Sequence, residues 1–213
     1  MDIIVRREEE KDYRRTEEVA REAFWNLYFP GATEHYIVHK IRSHSDYIKE
    51  LSFVIEVNGV VEGGIFYTHS KIVTEKGEFP TISFGPVFIS PKYHRQGLSR
   101  RLIMYSIEKA REMGYSAILT LGYPYHYTVY GFCGGKKYGI SMSDGKFYTG
   151  LLVLPLHEGI LNGKNGYVVF SDGLEVDMKE VDKFDALFPK KEKMVLPCQL
   201  EYEKACAMLD ESE

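Results

Sequence analysis

The chain has 213 residues, with 27 Lys and Arg against 31 Asp and Glu for a formal charge of −4, and it is 44% hydrophobic and 14% aromatic. Its 16 Tyr and 12 Phe can fill a sizeable core, which excludes wholesale disorder and a disulfide-stapled miniature scaffold. The mild acidity argues against a nucleic-acid coat. At the start, Met1–Arg7 is a short apolar patch that runs into Glu8-Glu9-Glu10, read as a solvated charge run, and is too short for a signal peptide. No window approaches the ~18–20 apolar residues of a membrane span, so a cytoplasmic protein with no membrane partner is expected. Cys133, Cys198 and Cys206 offer neither a CxxC pair nor a zinc-ligand spacing, so no metal is expected.

In chain order, Ile3–Arg6 reads as a strand. A helix of about four turns follows from Asp12, with Thr16, Ala20, Ala23 and Leu27 on one face and Pro30-Gly31 at its end. Thr33 is placed to cap a second helix that runs to His44 and buries Tyr36, Ile37 and Ile41. Phe53–Val57 and Val60–Tyr67 flank Asn58-Gly59, a strong hairpin signal. Thr81–Ile89 reads as a strand bent at Gly85-Pro86, because proline lacks the ladder donor. A long amphipathic helix opens at Gly97 and closes at Met113-Gly114. Tyr115–Leu121 then reads as a strand, Pro124–Tyr130 as a short helix, and Gly139–Leu154 as one or two strands with a turn at Asp144-Gly145. Strands in series followed by alternation predict an α/β protein of the α+β type with a mixed sheet. The division expected is a domain over residues 1–170 and a helical C-terminal extension over 171–213, in which Val176, Val181, Phe184, Leu187 and Phe188 are candidate packing residues. Whether that extension covers the sheet, borders an acceptor site or mediates a homodimer is left open by the sequence.

The most informative stretch is Pro91–Leu102, where a polar loop feeds a helix N-terminus. Backbone N–H groups without intrahelical acceptors and the positive end of the macrodipole make such a junction a ready site for pyrophosphate. Gly97 permits close approach, Ser99 adds a hydroxyl, and Arg95, Arg100 and Arg101 add positive charge. A Rossmann fingerprint would need two further glycines, and Gly159–Asn165 has one residue too few between its glycines for a P-loop and reads as a turn.

This loop resembles the acyl-CoA pyrophosphate motif of the GNAT N-acetyltransferase superfamily, Arg/Gln-x-x-Gly-x-Gly/Ala, with His94, Gly97 and Ser99 at the patterned positions. His94 and Ser99 depart from the usual residues. Downstream, Leu121-Gly122-Tyr123-Pro124 through Tyr127, Tyr130, Gly131 and Phe132 resembles the Tyr-x-x-x-Gly-Phe ending of that fold, and more narrowly a bacterial branch of predicted N-acetyltransferases, with Tyr123 in place of that branch's Asp. The resemblance extends to Phe170. It implies a mixed sheet, splayed at its centre and flanked by helices, with acetyl-CoA as cosubstrate. The main chain of Val87, Phe88 and Ile89 would then pair with pantetheine, and the segment His94, Arg95, Gln96, Gly97, Leu98, Ser99 and Arg100 would hold the pyrophosphate. Tyr127 would be the general acid for the leaving thiolate. The implied reaction is acetyl transfer to a primary amine, on a small molecule or a peptide, by direct attack in a ternary complex. The alternative is an acyl-CoA-binding or sensing module with the same fold and little or no catalysis.

No general base follows from these motifs. Pro80–Ser90 holds no carboxylate, and Glu62, His69 and His126 are the candidates, beside a chain of waters. Trp25–Phe29 and His35 are aromatic enough to line an amine pocket through cation-π contact, and equally fit a core staple.

Overall fold

The computed structural model describes residues 1–211. Two residues of the expected C-terminal extension, Ser212 and Glu213, lie outside the described residues. The strands are β1 (Ile3–Arg7), β2 (Phe53–Val57), β3 (Val60–Thr74), β4 (Gly77–Ile89), β5 (Ala117–Leu121), β6 (Cys133–Gly134), β7 (Ile140–Ser141), β8 (Leu151–Pro155) and β9 (Gly166–Val169). The helices are α1 (Tyr13–Phe24), α2 (Glu34–Ile41), α3 (Leu98–Glu112), α4 (Pro124–Tyr127), α5 (Met178–Asp185) and α6 (Pro197–Ala207). They form one mixed sheet in the order β1-β2-β3-β4-β5-β8-β6, with β9 completing the far half of β3 and β7 pairing with β9.

The faces of the sheet are covered from opposite sides. Leu98, Leu102, Ile103, Ile107 and Ala110 of α3 pack with Phe53, Ile55, Ile65, Tyr67, Ile82 and Ile118. Val19 and Ala20 of α1 and Val38 and Ile41 of α2 pack with Phe66 and Phe88. Alternation along β4 therefore sends Phe88 toward α1 and α2 while Val87 and Ile89 face the α3 side.

Two features of the sheet position the site. At Gly85-Pro86, a cis peptide, β4 takes three residues from Val87 back to Phe84 while β3 takes two from Ile65 to Tyr67, which is a β-bulge. β4 and β5 run parallel and pair only at Ile82–Ile118 and Ser83–Leu119, so both continue past the last pair without each other and the sheet opens between them. The bend expected at Gly85-Pro86 lies where that opening begins.

Several local expectations are corrected. α1 ends at Phe24 because Asn26 takes a left-handed conformation (φ 60°), and Leu27 lies beyond the helix, 39% exposed. α2 is shorter than expected and buries His35, Val38 and Ile41, a face rotated from Tyr36 and Ile37 because it meets Phe66 and Phe88. β3 and β4 each run further than expected, meeting at a turn where the Thr74 hydroxyl donates to the Gly77 carbonyl (2.8 Å). Glu8 is no solvated charge, since Arg42 pairs with it at 2.7 Å inside the fold. In the C-terminal segment Val181, Phe184 and Phe188 are buried, whereas Leu187 is 67% exposed. No helix among the described residues is long and apolar enough to cross a membrane.

Candidate functional site

The opening between β4 and β5 continues into a cleft of about 530 Å³ that reaches from the loop before α3 to the turn after α1. Of the residues singled out in the sequence, Val87, Phe88, Ile89, His94, Arg95, Gly97, Leu98, Ser99 and Tyr127 line it, and Gln96 and Arg100 do not. One end is the N-terminus of α3. Arg95 (φ 61°) and Gly97 (φ 81°) are both left-handed and coil the loop into the helix, and the first hydrogen bond across it runs from Arg101 N–H to the Gly97 carbonyl at 3.1 Å. The N–H groups of the intervening first turn are left to face a ligand. Space around Gly97 is open, so glycine serves there for its dihedral and not for room.

The His94 ring is bonded back to its own strand end. Its Nε2 lies 3.1 Å from the Ile89 carbonyl, so that nitrogen carries the proton and donates, which ties the loop to the end of β4. The Gln96 amide donates back to the Lys92 carbonyl at 3.2 Å. Both side chains shape the loop, leaving backbone and the arginines to present its charge.

Tyr127 stands at the opposite wall, its ring against Phe84 (5.6 Å between centroids) and Phe132 (5.8 Å). Burial, with Tyr130 a smaller contributor, pushes its phenol up to about 12, so it is protonated throughout the neutral range and available as a proton donor. Gly122 makes room for it: a Cβ there would sit 2.6 Å from Tyr127 Cε2. Gly131, left-handed at φ 93°, turns the chain back into the core at Phe132.

The base candidates separate. Glu62 is buried and ion-paired with Arg15 (3.0 Å) and Lys92, a structural role. His69 is exposed, with its ring 6.2 Å from Tyr115 and away from the cleft lining. His126 lines the cleft, and burial lowers its pKa.

Around the turn after α1, where the cleft ends, lie residues that sequence reasoning missed or left undecided. The aromatic run after α1 divides: Tyr28 and Leu27 line the cleft, whereas Trp25 donates its indole N–H to the Glu192 carbonyl (2.9 Å) and His35 is buried among Phe184 and Phe188. Tyr28 stacks on Tyr202 of α6 at 4.0 Å, and Tyr202 meets Tyr123 edge-on at 6.3 Å. Burial first, then Tyr202, Glu34, Tyr127 and Tyr123, raise the Tyr28 phenol. Burial likewise pushes Glu34 up to about 7, against hydrogen bonds from its own backbone N–H, from the Thr33 N–H at 3.0 Å and from the Thr33 side chain. Nothing in the sequence separates Glu34 from an ordinary acid in a helix's first turn, and Tyr202 lies beyond every motif. Buried Asn26 joins this end to the C-terminal segment. Its Oδ1 accepts from Gly31 N–H (2.9 Å) and Met194 N–H (3.1 Å), its amide donates to the Glu192 carbonyl (3.0 Å), and its carbonyl accepts from Gln199 (3.0 Å).

Comparison with known proteins agrees with this architecture. The Acetyltransferase (GNAT) family profile matches residues 17–129. The uncharacterized N-acetyltransferase YhbS of Escherichia coli K12 is 26% identical over 145 residues, 68% of this chain and 84% of that protein. The crystal structure of E. coli YhbS in complex with CoA superposes with a TM-score of 0.71 at 23% identity, over 80% of this chain and 91% of that one. A GNAT family acetyltransferase from Brucella melitensis, solved with acetyl-CoA, gives 0.66 at 21% identity, over 82% and 99%. At those identities the structures speak to the fold, and the profile, which spans more than half of the chain, shows that it belongs to the GNAT acetyltransferase family.

Proposed function

We propose that the chain transfers an acetyl group from acetyl-CoA to a primary amine by direct attack within a ternary complex, and that residues 1–170 form the transferase domain with 171–213 as an extension packed on it. The observation that carries this reading is the single cleft that joins the β4–β5 opening, the N-terminus of α3 and Tyr127. An extended pantetheine arm finds strand-like partners on the main chain of Val87, Phe88 and Ile89, in the manner of an added strand. The pyrophosphate finds the N–H groups from Gly97 to Arg100, with Arg95 and Arg100 beside them. The proposed cosubstrate site thus comprises Val87, Phe88 and Ile89 together with His94 through Arg100, His94 and Gln96 acting through the loop they brace.

Attack of the amine on the thioester carbonyl forms the C–N bond and leaves an oxyanion, which backbone donors near Val87 are placed to stabilise. Collapse breaks the C–S bond. Tyr127, kept protonated by its burial, donates to the departing sulfur. CoA exerts no demand on a cysteine nucleophile here, and the direct route needs none.

Calorimetric titration tests the cosubstrate: acetyl-CoA is expected to bind in the micromolar range while ATP and NAD give no comparable heat. Equal binding of ATP, or no binding of acetyl-CoA, would overturn the reading.

A further inference from the structure

We infer that His126 is the general base of the transfer, its imidazole taking the N–H proton that the attacking amine must lose. This rests on the acetyl-transfer reading above.

Placement singles it out. Pro124 opens α4, and the His126 N–H donates to the Tyr123 carbonyl at 3.0 Å, so the consecutive residues His126 and Tyr127 are fixed on one tight turn. Both line the cleft, with their rings 6.3 Å apart. A chain of rings ties this point to the turn after α1: Tyr28 stacks on Tyr202 at 4.0 Å, Tyr202 meets Tyr123 at 6.3 Å, and Tyr123 meets His126 at 6.0 Å. The loop before α3 lies at the other end of the cleft. A base standing here meets an amine that comes from the end the cosubstrate's pyrophosphate leaves free.

The other histidines are engaged elsewhere. His35 lies 3.1 Å from Asp185, His39 3.0 Å from Glu17 and His44 3.0 Å from Asp172. His94 belongs to the loop before α3 and is bonded to Ile89, while His69 and His157 are outside the cleft lining. His126 touches the rings of Tyr123, Tyr125 (4.4 Å) and Tyr127, and no residue among those described hydrogen-bonds either of its ring nitrogens. A neutral imidazole in that setting keeps one lone pair free. Among the described residues no carboxylate lines the cleft, Arg95 offers no acceptor, and burial raises the phenols of Tyr28, Tyr127 and Tyr130. The titratable groups around the His126 ring are Tyr123, Tyr125 and Tyr127 of its own segment, with Tyr202 of α6 beyond Tyr123. Burial lowers its pKa from the ordinary 6.5, so the ring is unprotonated at pH 7 and ready to accept. The rest of the residue is exposed, which gives an accepted proton a way out.

The protons balance. The amine enters neutral, its ammonium proton left in solvent, and its lone pair attacks the thioester carbonyl carbon. The C–N bond forms, and the nitrogen of the tetrahedral adduct becomes positive and acidic. His126 takes one proton from it. The carbonyl re-forms, the C–S bond breaks with its electron pair going to sulfur, and Tyr127 protonates the thiolate. His126 then gives its proton to solvent and Tyr127 regains one.

The test measures amine-dependent CoA release from saturating acetyl-CoA between pH 5 and 9, with n-butylamine and phenethylamine as probes. In wild type, kcat/KM expressed on the neutral amine is expected to rise with a midpoint below 6.5 and to stay level above it. His126→Gln is expected to lose roughly 10²-fold in turnover and to lose that acid limb, while keeping acetyl-CoA affinity within about twofold by calorimetry. His126→Ala is expected to fall as far and to regain about tenfold on addition of imidazole, which restores a proton acceptor and which a purely structural role would not answer. Near-wild-type turnover with the acid limb intact in His126→Gln, or no imidazole rescue of a His126→Ala protein that still binds acetyl-CoA, would overturn the base while leaving acetyl transfer intact. Parallel loss of acetyl-CoA affinity in both variants would assign His126 to structure and overturn it as well. Acetyl-CoA binding by wild type without release to any amine would overturn the transfer reading and the base with it.

Discussion

Tyr127 owes its position to a residue five places before it. With a side chain at Gly122 the new Cβ would stand 2.6 Å from the phenol ring, so Gly122→Ala must displace the ring from the cleft wall. Turnover is expected to fall about tenfold or more in this variant while acetyl-CoA, whose proposed site is mainly the backbone of other segments, keeps its affinity by calorimetry. Tyr127→Phe removes only the hydroxyl proposed as proton donor. It is expected to lower kcat by about 10²-fold with near-normal acetyl-CoA affinity, and unchanged kcat would remove Tyr127 from the mechanism. Glu34 makes a separate statement through stability. Its carboxyl titrates near 4.5 in the unfolded chain and at about 7 when folded, so the folded state binds the extra proton between those values. Stability from this group is therefore complete below pH ~4.5 and lost as pH rises through about 7. Glu34→Gln is expected to melt a few degrees above wild type at pH 8 and level with it at pH 4.5. A lower Tm for the variant at pH 8 would contradict the account of that carboxylate.

At the scale of elements, the strongest local signals were legible in sequence. Asn58-Gly59 does join β2 to β3, and the long helix begins at Gly97 as its amphipathic stripe requires. Gly85-Pro86 bends β4 because proline cannot serve the ladder. What escaped was set by contacts distant in sequence. α1 stops at Phe24 because Asn26 is held left-handed by partners near residues 192–199, and no periodicity in residues 12–27 carries that information. The expected strands end at Tyr67 and begin at Thr81, whereas β3 and β4 run on through Thr74 and from Gly77, where polar Ser70 bonds Thr81 across the hairpin (2.9 Å) in place of a clean apolar alternation. Asn26→Ala loses both the side-chain bonds and a residue tolerant of φ 60°. It is expected to cost about 2–4 kcal/mol, and to expose the segment after residue 189 to proteolysis before the sheet unfolds. Gly97→Ala strains the left-handed entry to α3 by about 1–2 kcal/mol and is expected to weaken acetyl-CoA binding about tenfold, read by titration.

Across the whole molecule, the candidate site lies where the sheet fails to close. β3 and β4 pair along nearly their full length, while β4 and β5 part after two pairs, so one seam of an otherwise continuous sheet becomes a cleft with a helix N-terminus at one end. The half of the candidate site formed by the loop before α3 and by Tyr127 was legible because it is built from consecutive residues with fixed backbone requirements. The end at the turn after α1 was not, because Tyr28, Tyr123 and Tyr202 come from three separate segments, the last of them in the tail where no motif was found. The measurement that tests the central claim most directly is amine-dependent release of CoA by the wild-type protein at pH 8, followed with a thiol reagent. Release that rises and saturates with n-butylamine, and is absent without amine, is the expected result. Tight acetyl-CoA binding with no amine-dependent release would contradict the account and leave a module that binds the cosubstrate without using it.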